Sequence, residues 1–242
     1  THRDKACVGT ITSRMEHYLD WKDPYPSILS KDGKEFIFRG KVEGLDYPRG
    51  ALIPPYEREI IFEPNAQEIM LYGLFDRANF LDILQNFTVF EPVDGRIIKK
   101  IPRYQQFRAV HKTIERLKEG ETPKEKSGVI WHTQGSGKSL TMVFLTVKMR
   151  RDPDLRDYKL VFLTDRTQLD NQLTSTFSNA QGETVRHADS VKSLKELLAS
   201  DASDIITAMV QKFQESADEF EFPVLNESEK IIVLADEAHR TQ

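Results

Sequence analysis

Apolar positions in this chain come either in uninterrupted runs or at helical spacing, and each form predicts an element. Leu160–Thr164, Ile205–Met209 and Ile231-Ile232-Val233-Leu234 are short apolar runs without polar alternation. Such runs predict strands buried on both faces, as parallel sheets require. A fourth run, Gly128-Val129-Ile130-Trp131, predicts another short buried strand. Between these stand helical patterns. Leu140, Val143, Phe144 and Val147 recur at the spacing of one helix face. Phe107, Val110, Ile114 and Leu117 mark a second helix, which the sequence continues as a charged connector to Lys126. Strands alternating with helices predict an α/β fold, its mostly parallel sheet covered on both faces.

The first third reads differently. Ile11, Met15, Tyr18 and Leu19 predict a helix over Thr10–Trp21, with Thr12 or Ser13 as N-cap. Six of the eleven prolines, Pro24, Pro26, Pro48, Pro54, Pro55 and Pro64, fall between Asp23 and Pro64. That stretch predicts irregular structure or a short pair of hairpins. Helical spacing returns over residues 65–90 through Ile69, Leu71, Leu74, Phe75, Phe80, Leu81, Ile83, Leu84 and Phe87, with Asp76 as a cap after Gly73. The Pro92 and Gly95 punctuation then suggests a boundary, dividing the chain into a smaller mixed or helical linker region (1–94) and a main α/β lobe (95–242).

Composition narrows the class. With 242 residues and 39% hydrophobic content, the chain can bury one good core and a second small one. No apolar stretch approaches the ~20 residues of a membrane span, so no membrane partner is expected. The single Cys7 excludes an internal disulfide framework and fits a reducing cytoplasm, so a cytoplasmic location is expected. Six histidines show no paired metal spacing, so zinc is not expected. The net charge of -4 hides an asymmetry: residues 99–159 hold fifteen Lys/Arg against seven Asp/Glu, while 201–239 hold ten acidic and two basic residues.

The candidate chemistry lies in two segments. In Trp131-His132-Thr133-Gln134-Gly135-Ser136-Gly137-Lys138-Ser139, two glycines let backbone N–H groups wrap a polyphosphate at a helix N-terminus. Lys138 would reach the β- and γ-phosphates of a nucleoside triphosphate, and the Ser139 hydroxyl would ligate Mg2+. The usual phosphate-loop pattern has Gly where His132 stands. Asp236-Glu237-Ala238-His239 closes the last apolar run, at the strand end where α/β sheets place ligands. Asp236 would hold the metal, and Glu237 would activate the attacking water.

These residues carry a family resemblance. Asp236-Glu237-Ala238-His239 resembles the motif of DEAH-type superfamily-two helicases, and the segment from Trp131 to Ser139 closely resembles the phosphate loop of the R (HsdR) subunit of type I restriction enzymes, His132 included. Three further segments are similar to family motifs. Arg103-Tyr104-Gln105-Gln106-Phe107-Arg108-Ala109 resembles the glutamine motif, whose amide reads the adenine edge, and its register favours Gln106 over Gln105. Phe162 to Gln172, with Arg166, resembles a segment coupling nucleotide to DNA. Ile205 to Phe213, with Gln211 and Lys212, resembles a DNA-contacting segment, although Ala208 and Met209 stand where the family commonly has a Thr pair.

The resemblance implies a RecA-like lobe and an ATP-driven motor on double-stranded DNA, working with methylation and specificity subunits in a type I site-specific deoxyribonuclease. Lys138, Asp236, Glu237 and His239 would be its catalytic residues, and Arg103, Gln106, Thr133, Gln134, Gly135, Ser136, Gly137, Lys138 and Ser139 its nucleotide contacts. Ser139 and Asp236 would hold the metal. His239 would link hydrolysis to a second lobe, which the family requires and which this chain is expected to lack. No Glu is followed two positions later by Lys, so the family's nuclease cluster is expected upstream of Thr1. Two other readings stay open: a different superfamily-two DNA or RNA helicase, and a lobe that binds nucleotide without turnover.

Overall fold

The computed structural model describes residues 5–14, 18–23, 28–29, 36–38, 60–62, 65–93, 95–133, 135–164, 185–209 and 224–236. The chain divides into two compact units, residues 1–85 with 103–105, and residues 86–102 with 106–242.

In the first unit, strands β1 (Cys7–Val8) and β2 (Leu19–Asp20) pair antiparallel. The helix expected over Thr10–Trp21 is therefore not what its described residues form. The reason lies in the hydroxyls: Thr10 N–H donates to Ser13 Oγ at 3.2 Å, and Ser13 N–H donates to the Thr10 carbonyl at 2.9 Å. Those bonds close a turn in place of capping a helix. Ile11, expected on a buried face, is 98% exposed. Three short strands, β3 (Ile28–Leu29), β4 (Phe36–Phe38) and β5 (Ile60–Phe62), form an antiparallel sheet within the proline-rich stretch.

Helices α1 (Ala66–Phe75) and α2 (Arg77–Asn86) follow. Asn65 caps α1, its Oδ1 accepting from Gln67 and Glu68 N–H, while Glu68 reaches back to the Asn65 N–H. Asp76 starts α2 by accepting from the N–H groups of Ala78 and Asn79. The residue that separates the helices thus also caps the second.

In the second unit, β6 (Val89–Val93) and β7 (Arg96–Lys100) form a hairpin. It turns at Gly95, whose φ of 74° suits only a residue without a side chain. Helix α3 (Tyr104–Glu119) packs Phe107, Val110, Ile114 and Leu117 inward, the spacing read from the sequence. The stretch after it is more ordered than a connector: Thr122 and Glu125 form a reciprocal capping box that starts the one-turn helix α4 (Pro123–Lys126). Backbone N–H groups of Thr122 and Glu121 hold the Glu125 carboxyl below its ordinary pKa.

The main sheet contains β8 (Lys159–Thr164), β9 (Val185–His187), β10 (Ile205–Met209) and β11 (Ile231–Ala235) in the order β11-β8-β10-β9, all parallel. Its α/β class is the one expected. Register sets Leu160 beside Ile205 and Ile232. Val161, Ile206 and Ala208 pack with Ala188 and with Leu194 of helix α6 (Val191–Ala199). Helix α5 (Lys138–Arg151) buries Val143, Phe144, Leu145, Val147 and Met149, and Phe144 meets Phe87, which packs on Phe107 at 4.8 Å between ring centroids. No helix among the described residues is long and apolar enough to cross a membrane.

Two strand expectations need correction. Gly128–Trp131 is not a strand, and Val129 and Trp131 are 89% and 87% exposed. A strand needs a neighbour for its N–H and C=O groups, and no described strand pairs with this run. β11 does form, yet it is not buried on both faces. It lies at the sheet's edge, paired only with β8 among the described residues, and Val233 stays 56% exposed.

Candidate phosphate-binding site

The loop ahead of α5 owes its shape to two glycines. Gly135 has φ +74° and Gly137 φ +84°, the left-handed region that favours residues lacking Cβ. Ser136 N–H turns back to the Thr133 carbonyl at 3.2 Å. Gly137 is the N-cap of α5, so no side chain caps the helix, and its first turn holds no acidic residue. The positive end of the helix dipole at this uncapped terminus favours an anion. Lys138 and Ser139, the first residues of the helix, carry the ammonium and hydroxyl expected at such a site.

Two polar atoms in the loop point the same way. His132 Nδ1 and Ser136 Oγ are buried and make no hydrogen bond among the described residues. A buried polar atom without a partner costs roughly 1–3 kcal/mol. A ligand rich in oxygens would remove that cost at Ser136. Burial, with the nearby charge of Lys138, pushes the His132 imidazole below its ordinary pKa.

Gln106 is also at the loop, in a setting the sequence does not show. Its side chain is 2% exposed, and Nε2 donates to the Gly137 carbonyl at 2.8 Å and the Ser136 carbonyl at 3.4 Å. Thr141 joins it, donating to the same Gly137 carbonyl from its N–H at 3.1 Å and its hydroxyl at 3.2 Å. Thr141 is the residue that sequence reasoning missed. Its signal was present: a hydroxyl four positions after the helix-starting glycine can bond back to that residue's carbonyl. Arg103 immediately precedes α3 and belongs to the first unit.

At the carboxyl end of β11, Asp236 N–H donates to the Leu163 carbonyl of β8 at 2.9 Å. That bond extends the ladder by one residue and fixes where the acidic segment leaves the sheet. Gln134, Arg166, Gln211, Lys212, Glu237 and His239 lie outside the described residues.

A glycine loop running into a lysine-bearing helix with no side-chain cap suits an anion with several oxygens, and on a parallel α/β sheet it defines a phosphate-loop nucleotide-binding protein. Comparison with known proteins carries this further. The family model described as SWI2/SNF2 ATPase matches residues 105–242. The putative type I restriction enzyme MjaIXP endonuclease subunit of Methanocaldococcus jannaschii is 38% identical over 179 residues, covering 72% of this chain and 17% of that protein. The type I restriction enzyme HindI endonuclease subunit of Haemophilus influenzae is 36% identical over 190 residues, covering 76% and 18%. The C-terminal part of the putative type I restriction enzyme MpnIIP endonuclease of Mycoplasma pneumoniae is 30% identical over 172 residues, covering 67% and 81%. The chain belongs to the SWI2/SNF2 ATPase family and, within it, to the endonuclease subunits of type I restriction enzymes. ATP is accordingly its nucleotide. The chain spans less than a fifth of the first two relatives.

Proposed function

We propose that this chain carries the phosphate-binding half of an ATP-driven DNA translocation motor, that of the restriction subunit of a type I site-specific deoxyribonuclease. The observation that carries the reading is the uncapped N-terminus of α5, reached through two left-handed glycines and opened by Lys138 and Ser139. In this reading Thr133, Gln134, Gly135, Ser136 and Gly137 surround the phosphates, and Lys138 neutralises charge on the β- and γ-oxygens. Arg103 and Gln106 serve the nucleotide from the glutamine motif. Double-stranded DNA is the track, with Arg166, Gln211 and Lys212 as contacts, and methylation and specificity subunits complete the complex in the cytoplasm.

The metal would be Mg2+. Ser139 and Asp236 offer hard oxygen donors, and among the described residues no group of three or more His, Cys, Asp or Glu could hold an ion. That donor set fits an ion bound by one or two protein oxygens, phosphates and water. Bound there, it would screen charge on the phosphates. Asp236 would hold it, Glu237 would orient and deprotonate water, and His239 would transmit the result to a partner lobe.

The test is ATP binding and DNA-stimulated hydrolysis with wild type and Lys138→Ala, in this chain and in the full-length protein. Loss of the ammonium should weaken ATP binding at least tenfold and abolish turnover in the full-length protein. Unchanged affinity and turnover would remove the motor reading. Binding without hydrolysis by this chain would mark it as the nucleotide-holding part alone.

A further inference from the structure

The glutamine motif assigns Gln106 to the base of the nucleotide, but its surroundings describe another task. The side chain is 2% exposed and lies beneath the loop, where Nε2 donates to the carbonyls of Gly137 and Ser136. An amide that reads an adenine edge must present a donor and an acceptor to an open cleft. Here the donor is already committed to the main chain.

Gln106 packs closely under Gly137, whose φ of +84° itself favours glycine. A Cβ added at Gly137 would stand 2.7 Å from Gln106 Nε2, closer than real Cβ contacts allow. The Gly137 carbonyl is also the acceptor for both donors of Thr141. Three donors from two helices thus converge on one carbonyl, and that carbonyl belongs to the residue immediately before Lys138. Fixing its direction fixes the orientation of the Lys138 peptide N–H, because the two groups share one planar peptide. Neighbouring aromatic packing holds the source of the bond: Phe107, next to Gln106, is clamped between Phe87 and His111 at centroid distances of 4.8 and 4.3 Å.

We propose that Gln106 is a positioning residue that sets the phosphate loop from below, so that it governs the binding of any triphosphate whatever its base. The inference rests on residues 132–139 being a triphosphate loop. It differs from base reading in one measurable respect: the effect of losing Gln106 is independent of the base, and it persists when no base is present.

The experiment compares ATP, GTP and inorganic tripolyphosphate binding to wild type, Gln106→Met and Gln106→Glu by calorimetry, well below each protein's melting temperature. Met keeps the buried volume and removes the donors; Glu keeps the shape and turns a donor into an acceptor. Both should weaken all three ligands by the same factor, roughly tenfold, the equivalent of one hydrogen bond. The amide of Thr141 should also exchange faster in both. A filler role would lower the melting temperature in Gln106→Met yet leave tripolyphosphate affinity alone in the folded protein, and that result overturns the proposal. Loss confined to ATP overturns it in favour of base reading. If wild type binds none of the three, the triphosphate reading itself falls and takes this inference with it. Should Gln106→Met fail to fold, Gln106→Glu decides by the same comparison.

Discussion

Gly73 sits inside α1 with no space for anything larger. A Cβ there would lie 2.1 Å from the Asp23 carbonyl and 2.3 Å from Trp21 Nε1, which are themselves hydrogen-bonded at 2.7 Å. Gly73→Ala should therefore destabilise the chain by about 1–3 kcal/mol, despite alanine's higher helix propensity. A lower melting temperature checks this, and a rise would mean the helix can shift away from Trp21. Such a demand is invisible in sequence, because the colliding atoms come from fifty or more positions upstream. Gly135 and Gly137 are the opposite case. Their left-handed conformations follow from what a phosphate loop requires, so they were legible. Gln106 was legible as a residue of interest through its motif. Its partner 31 positions away was not, since register says nothing of where an amide points.

Among the elements, the β8 and β10 runs were read correctly, while Gly128–Trp131 and Thr10–Trp21 were not. β8 and β10 pair with each other and are buried as their apolar runs demand. The Gly128–Trp131 run is also apolar but has no ladder among the described residues, and Thr10–Trp21 has helical spacing but hydroxyls that prefer a turn. Position in the sheet and local side-chain bonding decided those outcomes. One inter-element tie came from no pattern at all. Lys159, buried at the start of β8, donates from Nζ to the carbonyls of Leu197, Leu198 and Ser200 at the end of α6, where Asn226 also donates to the last two. A cation at the carbonyl end of a helix complements the dipole there. Burial pulls the Lys159 pKa below its ordinary value, while the acceptors keep the ammonium satisfied. Lys159→Met should cost about 1–3 kcal/mol, because Leu197 loses its donor and two other carbonyls keep only Asn226. Urea unfolding measures it; an unchanged midpoint would show that water replaces the lysine.

Across the whole molecule, charge is the property that sequence states best and places worst. The excess of basic residues over 99–159 is a fact of composition, yet several of those side chains serve structure. Lys118 bridges Asp152 and Asp154 at 2.7 and 3.0 Å, and Arg150 donates to the carbonyls of Arg156, Tyr158 and Ser203 at 2.7 Å each. The number of charges available to DNA is thus smaller than the count suggests. Duplex binding by the chain should still weaken with salt, each neutralised phosphate contributing a slope of about −0.9 in log K against log salt. A negative slope is the expected outcome, and a slope of zero would remove residues 99–159 as a DNA surface.

The position of β11 has a practical consequence as well. Among the described residues its outer edge pairs with no strand, and it carries an exposed apolar side chain, Val233. Any extended peptide of similar length, including β11 of another molecule, can add to such an edge. The same strand that leads into Asp236 is therefore where concentrated protein would begin to aggregate, and a lysine in place of Val233 would be a natural gatekeeper for keeping it in solution.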